Sequence, residues 1–427
     1  MRAALHYRPP HTLPQLAMSS KASLFVIFLT VFIDLLGFGM VLPLLPIYAK
    51  QFSATGLTIG LLMSSFSAMQ FLFAPLWGRL SDRIGRRPVL IVGLAGSVVF
   101  YGLFGYATVA KSLWLMFVAR IGAGIAGATI STAQAYIADC TTLETRAKGM
   151  ALIGAAFGLG FTFGPLFGAF AVPSGDGDPG PGPGYAAAAL SAVALLLAIF
   201  KLPESLQRGQ VETTLHERRG WLSLAALRDA MQVPSIGLLL LASFLCIFSF
   251  ANFESTLSLI IKDEGGVFRF TFQQVCWTFA YIGLMLTLIQ GGLVRRLSGR
   301  VPEGKLAVAG CVLEIVGLLL LWQASRSYSL ALLLVSLAVT VGGFSFLTPS
   351  INSLLSRRSD PAKQGGVLGL GQSVGALARI LGPAIGIPLS QQSPSYPLLM
   401  AAGLMALGVL VLAAADRGGQ DFESASN

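Results

Sequence analysis

Twelve apolar stretches, each approaching or reaching the roughly 20 residues needed to cross a bilayer, alternate with short polar intervals along the chain. They fall at approximately 24–45, 57–77, 88–108, 113–138, 147–171, 185–202, 235–261, 272–294, 305–325, 329–355, 365–388 and 395–415. Lipid offers no partner to an unpaired backbone group, so each stretch is expected to be a helix. The longest polar interval, Pro203 to Pro234, separates them into two sets of six.

The two sets carry traces of one ancestral unit. The segment from AYIADCTTLETRAKGMA to FGPLFGA aligns without gaps on the segment from PSINSLLSRRSDPAKQGGVLG to LGPAIGI, which places Gly164, Pro165 and Gly168 on Gly382, Pro383 and Gly386. The offset of 218 residues is about half the chain and marks parallel six-helix repeats. The expected fold class is an all-α membrane protein with twelve transmembrane helices in two pseudo-symmetric six-helix bundles. Its expected units are residues 1–202 with a cytoplasmic N-tail, a central cytoplasmic loop at 203–234, and residues 235–427 with a short cytoplasmic tail.

Composition agrees with this pattern: of 427 residues 54% are hydrophobic and 11% charged, with a mean hydropathy of +0.74. The excess of base, 29 Lys+Arg over 19 Asp+Glu, could suggest nucleic acid, but its placement does not. Twenty-two of the basic residues lie on one side of the predicted spans and five on the other; two more, Arg120 and Arg379, lie inside spans. By the positive-inside rule both termini are expected in the cytoplasm, and the expected partner is the bilayer rather than nucleic acid. Cys140, Cys246, Cys276 and Cys311 have no metal-ligand spacing and read as packing residues. The leading MRAALHYRPPHTLPQLA is basic without an apolar core, so no cleaved leader is expected. No Gly-rich nucleotide loop and no zinc-spaced His pair occurs; neither an enzyme site nor a cofactor nor a metal is expected.

Charge is scarce, yet GRLSDRIGRRP, Gly78 to Pro88, gathers Arg79, Asp82, Arg83, Arg86 and Arg87 in a loop expected between spans two and three. Its counterpart in the second half, GGLVRRLSGRVP from Gly291 to Pro302, keeps the bases but has Arg295 where Asp82 would stand. Topology explains the bases; it does not explain an acid in only one loop. A carboxylate at a helix N-terminus gains about 0.3–1 kcal/mol, so Asp82 at the start of span eleven, near Gly365 and Gly366, would favour one of two conformations.

At every fixed position GRLSDRIGRRP matches the G-x-L-x-D-R-x-G-R-R loop of the major facilitator superfamily, which the chain resembles over nearly its whole length. FIDLLGFGMVLPLLP, AMQFLFAPLWG, RIGAGIAGAT, AYIAD and GLGFTFGPLFGA resemble the drug:proton antiporters of the tetracycline-efflux type; FANFESTLSLI and SVGALARILGP are similar to the tetracycline-transporter-like proteins of animals. The resemblance implies a latch of Gly78, Asp82, Arg83, Gly85, Arg86 and Arg87 with Arg146 as cationic partner, and an antiporter seam of Gly158, Gly164, Pro165 and Gly168 in span five. It also implies a monomeric transporter of a bacterial-type inner or cell membrane.

Five ionisable residues lie within the spans: Asp34, Arg120, Glu254, Glu314 and Arg379. Each costs at least about 2.5–3.5 kcal/mol at the bilayer centre unless paired or hydrated. Arg120, Gly124, Gly127, Ser131 and Gln134 fall at spacings of 4, 3, 4 and 3, a polar and small stripe that lines water or a close neighbour. In span eleven Gly371, Gly375, Gly382 and Gly386 share an arc of about 60°, with Gln372 and Arg379 at its margin. Asn252 and Glu254 project about 160° apart and cannot both face a cavity at one depth without unwinding. The candidate cavity set is Asp34, Gln70, Arg120, Gln134, Asn252, Glu254, Gln372 and Arg379, with Asp34 carrying the coupling proton beside Arg120; Glu314 has no evident partner.

Proton-coupled export of a small amphiphilic or drug-like solute by alternating access is the leading expectation. Uniport or symport of an organic anion or sugar, and a non-transporting receptor or scaffold on the same fold, remain as alternatives.

Overall fold

A computed structural model of the chain describes residues 20–173, 178–206, 234–263, 266–297, 299–327, 329–360 and 364–419. The leading segment, most of the central interval and part of the VPSGDGDPGPGPG connector therefore lie outside the described residues. Among those described, twelve helices are long and apolar enough to cross a membrane. They are α1 Ser23–Gln51, α2 Gly56–Ile84, α3 Arg86–Val109, α4 Leu113–Asp139, α5 Lys148–Ala171 and α6 Gly182–Lys201, then α7 Ser235–Lys262, α8 Phe272–Leu297, α9 Glu303–Ala324, α10 Leu330–Arg357, α11 Gly366–Gln392 and α12 Ser395–Gly418.

Three departures from smooth helices shape the molecule. GRLSDRIGRRP is helix rather than loop: α2 runs through Ile84, α3 starts at Arg86, and only Gly85 separates them. Gly85 has φ +107, a conformation closed to L side chains, and a Cβ there would collide with the Glu204 carboxylate. The loop expectation failed because short apolar residues among the charges, Leu80 and Ile84, sustain helical periodicity to the membrane surface. In α4 the helix is interrupted at Ala128 and Thr129, between Leu113–Gly127 and Ile130–Asp139. In α8 the Gly-Gly pair of IQGGLV sits in a π-turn, Ile289–Val294.

Within the first six helices α1 packs on α5 and α6, α3 on α4 and α6, and α2 on α4; within the second six, α7 packs on α11 and α12, and α9 on α10 and α12. Small residues permit this where hydrocarbon surroundings offer no hydrophobic drive between helices. A Cβ at Gly39 of α1 would lie 2.7 Å from the Gly160 carbonyl oxygen and 3.2 Å from the Gly164 Cα of α5.

The two bundles meet along two seams, α2 with α11 and α5 with α8. Both seams are closed on the face away from the Arg-rich ends, here the far face. There Lys50 Nζ lies 3.0 Å from Asp263 Oδ1, and the Gly56 N–H donates to Gln391 Oε1 at 2.7 Å. The Gln273 side chain donates to the Ala169 carbonyl at 3.3 Å. Toward the Arg-rich ends, the basic face, the helices part. A Cβ at Gly78, Gly154, Gly291, Gly292, Gly366 or Gly369 would meet nothing within 4 Å. The interior is thus open to the basic face and shut from the far face.

Candidate functional site

A cavity of about 380 Å³ lies between the bundles. Its walls are largely apolar and carry eight aromatic side chains: Phe38, Phe66, Tyr101, Phe157 and Phe161 from the first bundle, and Phe250, Phe279 and Phe344 from the second. Asp34, Gln70, Glu254, Gln372 and Arg379, all singled out from sequence, face into it.

Asp34 is half-buried on α1 and accepts a 3.0 Å hydrogen bond at Oδ1 from the Ser191 hydroxyl of α6. Ser97 and Tyr101 of α3 line the cavity beside it. Arg120 is not its ion-pair partner. Its guanidinium, 2% exposed, lies under the Phe66 ring at 4.5 Å from the centroid and near Phe38 at 5.9 Å. Nε and Nη1 have no hydrogen-bond partner. The reason is steric: the two rings, 4.9 Å apart between centroids, cover the guanidinium from the cavity side. A desolvated cation over aromatic faces gains about 2 kcal/mol.

The break in α4 positions a second polar group. Where the helix is interrupted after Gly127, two of its last carbonyls accept from side chains of α2. Gln70 Nε2 donates to the Gly127 carbonyl at 3.2 Å and Trp77 Nε1 to that of Ile125 at 2.7 Å. Ser131, one turn on, donates to the Ala74 carbonyl of α2 at 3.1 Å. Part of the expected polar stripe on α4 therefore fastens α2. Gln134, at its end, is exposed and lies outside the cavity lining.

On α7 the expected conflict between Asn252 and Glu254 is resolved without unwinding. Glu254 faces the cavity; Asn252 is fully buried on the other side, where Nδ2 donates to the Pro397 carbonyl of α12 at 2.8 Å. Asn252 is removed from the cavity set because α12 occupies the face it points to. Glu254 lies within electrostatic reach of Arg379 of α11, and the two make no ion pair. Glu314 is 0% exposed within the second bundle, outside the cavity lining, and neither carboxyl oxygen has a partner.

At the basic face Asp82 pairs with Arg86, one turn on, while Arg86 Nε reaches Asp139 Oδ2 at 3.1 Å and its Nη1 reaches the Ser81 hydroxyl at 2.7 Å. The Glu204 carboxylate accepts the backbone N–H groups of Arg86 at 2.8 Å and Arg87 at 3.1 Å, capping α3. Arg87 donates to the Ile199 carbonyl at 2.6 Å, and Arg146 to that of Ala138 at 3.3 Å. Arg146 is thus not bonded to Asp82 in this conformation, and Arg83 is exposed. Asp139 and Glu204 were not singled out from sequence. Each is an acid ending a span on the basic side, which is the signal that could have found them.

The residues expected as one seam divide. Gly164 packs against Gly39 and Leu36 of α1, with Pro165 alongside, so it lies inside the first bundle. Gly158 and Gly168 approach α8, where a Cβ would sit 3.6 Å from Thr287 Oγ1 and 3.5 Å from Cys276 Sγ respectively. The tightest glycine between α5 and α8 is Gly283, whose Cβ would lie 2.5 Å from the Phe161 carbonyl oxygen.

The sequence profile described as the Major Facilitator Superfamily matches residues 27–383. The mouse major facilitator superfamily domain-containing protein 10 is 31% identical over 414 residues, covering 86% of this chain and 87% of its own. The class E tetracycline resistance protein of Escherichia coli is 31% identical over 360 residues, covering 83% and 84%. Among solved structures, that of the human organic anion transporter MFSD10 (TETRAN) superposes with a TM-score of 0.67 at 28% identity, over 95% of this chain and all of that one.

Proposed function

Since the chain belongs to the major facilitator superfamily, a family of membrane transporters and not of enzymes, we propose that it is a proton-coupled antiporter that exports a small amphiphilic solute. In this reading the basic face is cytoplasmic, and the conformation described is the one that loads solute from that side. A single observation carries it: a largely apolar cavity rich in aromatic side chains, shut from the far face, into which each bundle projects one carboxyl group, Asp34 and Glu254. Aromatic walls bind apolar bodies with little discrimination. A carboxyl group that moves between a wet cavity and a dry seam takes up and releases a proton. Asp34 is assigned the coupling proton because it faces the cavity from within α1 while its carboxyl group accepts from Ser191 of α6. Each proton entering down about 100 mV supplies roughly 2.3 kcal/mol toward uphill export.

The test uses inverted proteoliposomes with tetracycline and ethidium as probes. An imposed proton gradient should drive accumulation by the wild type. Asp34→Asn, which keeps the shape but cannot titrate, should abolish gradient-driven accumulation while retaining some downhill exchange. Full accumulation by Asp34→Asn would move coupling to Glu254; wild-type exchange indifferent to the gradient would favour uniport. A second reading, symport or uniport of an organic anion, is favoured by Arg379, a cation exposed to the cavity, and the relative named as an organic anion transporter supports the same reading.

A further inference from the structure

Beside the central cavity lies a second one of about 300 Å³, and its described lining comes from α2 and α11 only. It marks where the α2–α11 seam fails. On the far side of it Gly60 packs on the Pro383 carbonyl, and the Ser64 hydroxyl bonds to the carbonyl of Ile380. One turn on, Ser67 is already a wall of the cleft. The α5–α8 seam holds further in: the Thr162 and Thr287 hydroxyls meet at 3.1 Å, and Gly158 still faces Thr287. At 1.5 Å per residue, Ser64 is roughly 12 Å from the far end of α2, whereas Gly158 is roughly 20 Å from the far end of α5. The interior is therefore open sideways on one flank at a depth where the other is closed.

The cleft is graded in chemistry. Ser67, Gln70, Gln372 and Arg379 at its inner end are shared with the central cavity. Its remaining wall is largely hydrocarbon, formed by Phe71, Leu72, Ala74 and Pro75 of α2 and Ala376 of α11, with Ser373, whose hydroxyl donates to the Gly369 carbonyl of its own helix. Gln372 and Arg379 are exposed on a membrane-spanning helix. A guanidinium there cannot face lipid cheaply, so this end is suited to water or to a polar ligand group. Glu254 is within electrostatic reach of Arg379 without pairing to it, which leaves the guanidinium's donors free for an incoming acceptor.

We propose that the α2–α11 cleft is the tail subsite for an anionic amphiphile with one acidic head and a flexible hydrocarbon chain. The head sits at Arg379 with Gln70 and Gln372 beside it. The tail lies outward along Phe71, Leu72, Pro75 and Ala376, toward the bilayer. The assignment rests on the transport reading and names the substrate class that the inner opening selects.

The test is a chain-length ladder: ethane-, butane-, hexane- and octanesulfonate, titrated calorimetrically against the full chain in lipid nanodiscs, with empty nanodiscs subtracted. In the wild type affinity should rise about fourfold per added methylene. Ala376→Trp, which fills the cleft from α11, should bind the octane and ethane members alike; Leu72→Trp does the same from α2 and guards against one variant misfolding. Arg379→Gln should weaken every member by a common factor and leave the ladder's slope. A wild type without chain-length dependence, a slope retained in both Trp variants, or unchanged binding by Arg379→Gln overturns the assignment. Failure of the ladder with gradient-driven export intact removes the cleft alone; an intact ladder without gradient-driven export removes the coupling alone.

Discussion

The two ends of the central cavity are built from the same helices and differ in what those helices touch. At the far face, backbone meets backbone: Gly60 lies against Pro383 and Gly283 against Phe161. At the basic face, the glycines of the same helices, Gly78, Gly154, Gly291 and Gly369, face open space. The charged groups follow suit. The Lys50–Asp263 pair crosses between bundles at the far face, whereas Asp82, Arg86, Asp139 and Glu204 bond only within the first bundle. The contrast teaches that closure is carried by close packing, and that charge adjusts a balance packing has set. Asp82 belongs to the proposed latch. Its carboxylate pairs with Arg86, and under that proposal it would exchange this partner for the start of α11 when the basic face closes.

The largest effect should come from denying the far face its close packing. A side chain at position 60 would begin 2.7 Å from the Pro383 carbonyl oxygen and 3.0 Å from the Ala384 Cα, both backbone atoms with little freedom to retreat. Gly60→Leu should cost about 1–3 kcal/mol in the closed far face alone, which is roughly fivefold to 150-fold in a two-state population. Spin labels at Gln51 and Gln392, exposed at the far face on opposite bundles, should then move apart, and exchange rates should fall at least tenfold. An unmoved label distance would mean that the glycine contacts are incidental.

An intermediate effect is expected at the basic face. Asp82→Asn removes the only acid of the GRLSDRIGRRP segment and should lower transport several-fold at unchanged membrane insertion, in keeping with up to ~2 kcal/mol for a partly buried carboxylate at a helix N-terminus. Arg295→Ala, in the repeat that has no acid there, should do much less. Equal losses measured in counterflow would show that the two repeats share the latch role.

The smallest effect belongs to Lys50 and Asp263, exposed by 54% and 37% at their side chains. Such a pair contributes about 0.2–1 kcal/mol and is screened by salt. Lys50→Ala should shift the label-distance distribution by less than about fivefold at low salt and not at all in 1 M salt. Restoration by the charge-swapped double variant would tie the shift to this pair.

Much of the fold was legible because the bilayer narrows the choices to helix and closed barrel, and apolar runs of span length then name the helices directly. Asp34, Glu254 and Arg379 were legible for the same reason: a charge inside a span is costly enough to mark a site. The role of α4 was only half legible. Periodicity put Arg120, Gly127 and Ser131 on one face, and the structure sends Arg120 to aromatic rings and Ser131 to α2, leaving Gly127 at the cavity wall. Asn252 shows the converse limit, since its helix angle was readable and its neighbour, Pro397 of α12, was not.

By itself the sequence determined the number of spans, the repeat, the family and the inventory of buried charge, because hydrophobic length and rare charge are local properties that each segment carries alone. Only the tertiary structure decided what each polar group meets: Ser191 for Asp34 across 157 residues, the Phe66 ring for Arg120, α12 for Asn252. It also decided which face is open. Contacts between helices distant in sequence depend on the packing of small residues at particular depths, and glycines that zip one face are the same residue type as glycines that face space at the other.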